Sequence, residues 1–222
     1  MGFAFSMLCR IGLVMMLVGA ANAGAETAIQ PVGQYAEIDI KQTREAMQLL
    51  ATGTMSERST AIARISAHSE QYAPPVFYAM SEALFQAGNK DEAAFWFYAG
   101  QLRARFDANR CTDASARQAV PALNQRYGPA INQYAFQDLQ KLEAVVNKVV
   151  AWDRQTPHNY DQRWINLHGM NAMLSGLSPK SVSGADAPLS LPAERWDAIA
   201  EQTRADYLKG FQEALATAKR NH

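Results

Sequence analysis

Apolar residues recur at three- and four-residue spacing along most of the chain, and no stretch alternates strictly between apolar and polar. That pattern predicts helices and no half-buried strand. After a lead-in over 24–36, broken by Pro31 and Gly33, a first helix is expected from about 39 to 51, ended by Gly53. Ser56 is expected to cap a second helix that carries Ile62 and Ile65 and fades near Tyr72. Pro75 can open a third, because the first helical turn needs no amide donor. A hairpin follows over 79–100: Gly88 suits the left-handed residue after a helix end, and Asp91 and Glu92 suit the positive start of the next helix. Phe95-Trp96-Phe97-Tyr98 covers roughly 300° of helix surface at about 100° per residue. Such a helix is expected to be central in the packing, the rival being one that leaves a ring for a partner.

Further helices are expected over 113–127, ended by Gly128, and from Pro129 to about Trp152. In the second, Leu139, Leu142, Val145, Val146, Val149, Val150 and Trp152 share a side; Lys141, Ala144, Asn147, Lys148 and Ala151 share the other. A short helix is expected near 161–173, a loop over 175–191, and a long last helix from about Pro192 to Lys219 that covers the preceding pair. The fold class is all-α, about seven helices in a hairpin-repeat bundle or short solenoid, in a single domain over 24–222.

Residues 1–23 have the layout of an export signal. Arg10 is the one charge, Ile11–Gly19 is apolar, and Ala21-Asn22-Ala23 fits the small-x-small cleavage pattern. The apolar part is shorter than the roughly 20 residues needed to span a bilayer. The expectation is a periplasmic protein, cleaved near Ala23, with no stable membrane insertion. Removing 23 of 222 residues leaves 199, with 20 basic and 21 acidic side chains. No basic block exists, which disfavours nucleic acid as a partner. Cys111 is the one cysteine beyond the signal, so no internal disulfide forms and a buried, inert thiol is expected.

Chemistry is sparse. No nucleophile elbow, His-Glu-x-x-His pair, phosphate-binding glycine loop or Cys-x-x-Cys motif occurs. The spacing of His158, Asp161 and His168 matches no standard zinc pattern; Asp161 reads better as a helix cap and His158 as a capping or surface residue. No catalytic residue, metal or cofactor is expected. Arg103, Arg105, Asp107, Arg110 and Asp113 crowd around Cys111, either as ion pairs fixing a turn or as a partner-binding surface. In Tyr160–Gly169, Trp164, Ile165 and His168 fall at core-like spacing, yet Trp, Tyr and Arg also dominate interface hot spots.

Two resemblances sharpen this. The small residues, terminating Gly88 and acidic opening of the hairpin resemble tetratricopeptide and Sel1 helix pairs. Gly53 and Gly88, 35 residues apart, lie near that repeat period. The segments Phe95-Trp-Phe-Tyr-Ala-Gly-Gln-Leu-Arg-Ala-Arg-Phe106, Asp107-Ala-Asn-Arg-Cys111-Thr-Asp113 and Tyr160-Asp-Gln-Arg-Trp-Ile-Asn-Leu-His-Gly169 resemble periplasmic immunity proteins of type VI secretion phospholipase effectors. That resemblance implies a non-enzymatic inhibitor whose partner is a secreted lipase effector. The expected contact residues are Arg105, Arg110, Trp152, Tyr160, Arg163 and Trp164. The rival is a helical-repeat scaffold in a cell-envelope assembly; an enzyme on an unfamiliar helical frame is the third class.

Overall fold

The computed structural model describes residues 31–177 and 187–221. The expected export signal and most of the expected 175–191 loop lie outside them. Eight α-helices are described: α1 (Lys41–Thr52), α2 (Met55–Ala67), α3 (Pro74–Gln86), α4 (Lys90–Arg110), α5 (Ala119–Ala135), α6 (Leu139–Gln155), α7 (Met170–Leu177) and α8 (Trp196–Asn221). The chain is all-α with a long C-terminal helix, as the spacing predicts. Among the described residues, no helix is long and apolar enough to cross a membrane.

The α3–α4 hairpin is the centre. Gly88 sits at φ +87°, the left-handed conformation that turns the chain between the two helices. Asn89 precedes α4, and Asp91 and Glu92 occupy its first turn. Val76, Phe77, Tyr78 and Met80 of α3 are fully buried, and so are Phe97, Ala99 and Leu102 of α4. Helix α1 packs on α3, and α5, α6 and α8 pack on α4. The aromatic run is therefore central: Trp96, Phe97 and Tyr98 are buried, and half-buried Phe95 packs edge-on to Trp96 and Trp152. Because α4 is wrapped rather than stacked in a row, the arrangement is a closed bundle.

Three boundaries differ from the expected ones. The cap of α2 is Thr54, not Ser56: Thr54 Oγ1 accepts from the Glu57 amide at 3.3 Å, and Glu57 Oε2 accepts from the Thr54 amide at 2.8 Å. Helix α5 runs through Gly128 and Pro129 and ends at Ala135. A Cβ on Gly128 would lie 2.9 Å from Phe97 Cζ, so this glycine allows α5 to approach α4 and ends nothing. Pro129 leaves the Gln125 carbonyl without its helical donor, and both residues are exposed, where water can serve that carbonyl. The break falls at Phe136–Asp138, where Asp138 Oδ1 caps α6 by accepting from the Lys141 amide at 2.9 Å. Lastly, the expected helix over 161–173 is a 3-10 turn (Gln162–His168), an extended Gly169, and then α7.

Helix α6 presents the predicted faces: Leu142, Val146, Val149 and Val150 are buried, and Lys141, Ala144, Asn147, Lys148 and Ala151 are exposed. It also carries Asp153 on the buried side. Helix α8 lies across α4 and α6 and covers them.

Candidate functional site

Two arrangements stand out, one inside the bundle and one on its surface. Inside, two buried carboxylates each collect three donors. Asp107 accepts from Arg110 Nη2 at 2.6 Å, Trp164 Nε1 at 2.7 Å and Tyr160 Oη at 3.1 Å. Asp153 accepts from Arg204 Nε at 2.8 Å, Arg103 Nε at 3.0 Å and His158 Nε2 at 3.1 Å. Burial raises the Asp153 carboxyl, but the His158 hydrogen bond and the charges of Arg103 and Arg204 outweigh it and hold the carboxyl down at about 2. His158 goes below its ordinary 6.5, chiefly because burial disfavours its charged form. Among the described residues, buried Arg103 Nη1 and Arg110 Nε have no hydrogen-bond partner. Rings cover these guanidiniums instead: Arg103 lies 4.3 Å from the Trp152 centroid, and Arg110 lies 4.3 Å from Phe106 and 4.5 Å from Trp196.

This network ties separate elements together. Each donor of the Asp153 set comes from a different place: Arg103 from α4, Arg204 from α8 and His158 from the segment after α6. It corrects several expectations. Arg110 and Trp164, expected at a partner surface, are buried because both are needed by Asp107. Tyr160 is turned inward to the same carboxylate. Trp152 is half-buried and packs against Phe77, Phe95 and Trp96. Arg163 is held bidentate by Asp161, at 2.9 and 2.7 Å, on the flank of the molecule. Half-buried Arg105 lies apart, 5.4 Å above the Tyr207 ring. The six residues form no single contact face. Of the charged group around Cys111, Arg110 pairs with Asp107 and Arg103 with Asp153, both pairs buried, while Asp113 caps the turn that follows by accepting from the Ser115 amide. His158 neither caps a helix nor stands on the surface, with 13% of its side chain exposed. Asp161 does cap its turn, accepting from the Arg163 amide at 2.9 Å. The Cys111 thiol is buried and pushed up to about 11 by that burial. Among the described residues, no three His, Cys, Asp or Glu side chains are grouped to hold a metal ion.

The surface arrangement surrounds α7. Only Ala172 and Ser175 of its eight residues are buried. Met170, Met173, Leu174 and Leu177 are 53, 50, 45 and 60% exposed, four of the six exposed large apolar side chains among the described residues. The helix is anchored at its start: Asp113 Oδ2 accepts from the Asn171 amide at 3.1 Å, and Ser115 Oγ from the Met170 amide at 2.7 Å. Beside it runs a groove of about 760 Å³ between α1 and α7. Ile40, Arg44 and Met47 line it from the α1 side, Leu167, Ala172 and Met173 from the α7 side, and Pro75, Leu123 and Trp164 are also in its lining. Arg44 is exposed here and has no ion-pair partner among the described residues.

Sequence reasoning passed over this site. One signal for it was present: apolar residues at 170, 173, 174 and 177 form a helical stripe with little else around it. The groove had none, since its lining spans Pro31 to Met173.

No protein-family model matches the chain, and neither the search of curated proteins nor that of solved structures finds a match.

Proposed function

We propose that this is a periplasmic, non-catalytic protein that binds a secreted lipase effector and inhibits it by steric occlusion. The observation that carries the binding role is the exposed apolar face of α7 beside an apolar groove. Exposed apolar side chains gathered in one place mark interaction sites more often than ordinary surface does. Met47, Met170 and Met173 give the surface adaptable, polarizable contacts. Arg44, which has no ion-pair partner among the described residues, suits a partner segment that carries an acidic residue next to its apolar ones. The lipase as partner rests on the resemblance of 95–113 and 160–169 to immunity proteins. Both segments lie against the surface site or its supports: Trp164 and Leu167 line the groove, and Asp113 holds the start of α7.

The test is capture from a periplasmic extract with the wild type and a Leu174→Asp, Leu177→Asp variant. Captured proteins are identified by mass spectrometry and assayed for lipase activity. The reading expects the wild type to capture and inhibit a lipase and the variant to do neither. Capture of envelope-assembly proteins alone would favour the scaffold. Equal capture and inhibition by both would remove α7 from the contact surface.

A further inference from the structure

We propose a second, independent site: the shallow cleft between α4 and the start of α5 binds an oxyanion through Arg105, Arg117 and the side-chain amide of Asn124. The cleft measures about 230 Å³, and no carboxylate lines it. Arg103 and Arg204 are matched with Asp153, Arg110 with Asp107, Arg154 with Glu201, and Arg163 with Asp161. Arg105 and Arg117 share one cleft and have no ion-pair partner among the described residues. A bound oxyanion would supply the counter-charge that the lining of this cleft lacks.

The positioning is specific. The Arg105 guanidinium is held over Tyr207 at 5.4 Å and reaches the Gln101 carbonyl only at 3.5 Å, so it is oriented without being neutralised. Asn124 Oδ1 accepts from the hydroxyl of Tyr78 at 2.7 Å. Tyr78 is fully buried, and burial pushes its hydroxyl far above its ordinary value, so it stays protonated and donates. With that hydroxyl donating to Oδ1, the Asn124 Nδ2 remains a donor. Asn109, also in the lining, gives one Nδ2 hydrogen to Thr203 Oγ1 at 2.9 Å. Arginine forks fit the paired oxygens of a phosphate or a carboxylate. The shared chemistry is therefore an oxyanion, either a phosphate or the carboxylate of another molecule.

The experiment is titration of the purified protein with inorganic phosphate and, separately, with acetate, at constant ionic strength in chloride, followed by calorimetry and amide NMR. Saturable binding is expected, weakened at least tenfold in Arg105→Gln, Arg117→Gln. Binding of phosphate alone assigns a phosphate; comparable binding of acetate assigns a carboxylate. Asn124→Asp provides the second variant. It keeps an oxygen for Tyr78 and places a carboxylate beside the two arginines, so it should abolish phosphate binding while leaving the melting temperature equal or higher. No saturable response to either anion, or undiminished phosphate binding by Asn124→Asp, overturns the site. Neither result bears on the lipase partner, which is tested at α7.

Discussion

Helices α4 and α7 are built on opposite terms. In α4, fourteen of 21 residues are buried, and its Arg103 and Asp107 are matched to partners on other elements. In α7, two of eight are buried, and the apolar side chains face outward. The first helix is where the fold is decided; the second contributes little to stability and leaves its surface for contact. The same residue types serve both ends. Tryptophan, tyrosine and arginine, which on a surface would signal an interface, are spent here on two buried aspartates. Methionine and leucine, the usual core residues, are what the surface displays.

The largest expected effect that sharpens this contrast is at Asp153. Replacing it with alanine strands Arg103, Arg204 and His158 around an empty position. Removing one partner of a buried ionic set costs about 3–5 kcal/mol. Asp153→Ala is thus expected to be largely unfolded or to melt far below wild type, as calorimetry would report. Next comes Gly128→Val, which drives a side chain into buried Phe97 where α5 meets α4. Overpacking of this kind costs about 1–3 kcal/mol, readable as a lower urea midpoint.

Acid should act on the same core. His158 is held below its ordinary 6.5, so the unfolded chain takes up its proton first. Its contribution is intact above that value and is lost as pH falls through the window beneath it. The groups facing it are Asp153, Arg103, Asp107 and Tyr160. Asp153, held at about 2, contributes above its ordinary 3.8 and loses that contribution as pH falls toward 2. Urea titrations from pH 7 to pH 5 should show His158→Gln losing less stability than wild type. An equal loss in both would mean that His158 is not a source of acid sensitivity. Smaller still, Thr54→Ala removes the cap of α2 and should cost about 1 kcal/mol. Last, Leu177→Ser on α7 should change stability by no more than about 0.5 kcal/mol.

What the sequence revealed followed from local physics. The turn at Gly88, the acidic opening of α4, the two faces of α6 and the long α8 all depend on residues within a few positions of one another. Gly128-Pro129 misled because a helix end and a close helix approach use the same residue, and only Phe97 across the gap tells them apart. Nothing local marks Asp153, because its arginine partners, Arg103 and Arg204, lie 50 and 51 positions away. The candidate surface was half legible: the stripe on α7 is local, whereas the groove joins Ile40, Leu123 and Trp164 from three parts of the chain.

Native-state amide hydrogen exchange tests the central claim most directly, because it measures the opening free energy of each helix in one sample. The account predicts that the amides of Phe97, Leu102 and Ala104 in α4 exchange only through global unfolding. Those of Leu174, Ser175 and Leu177 in α7 should exchange by local opening several kcal/mol below it. Protection in α7 equal to that in α4 would contradict the account, making α7 part of the structural core.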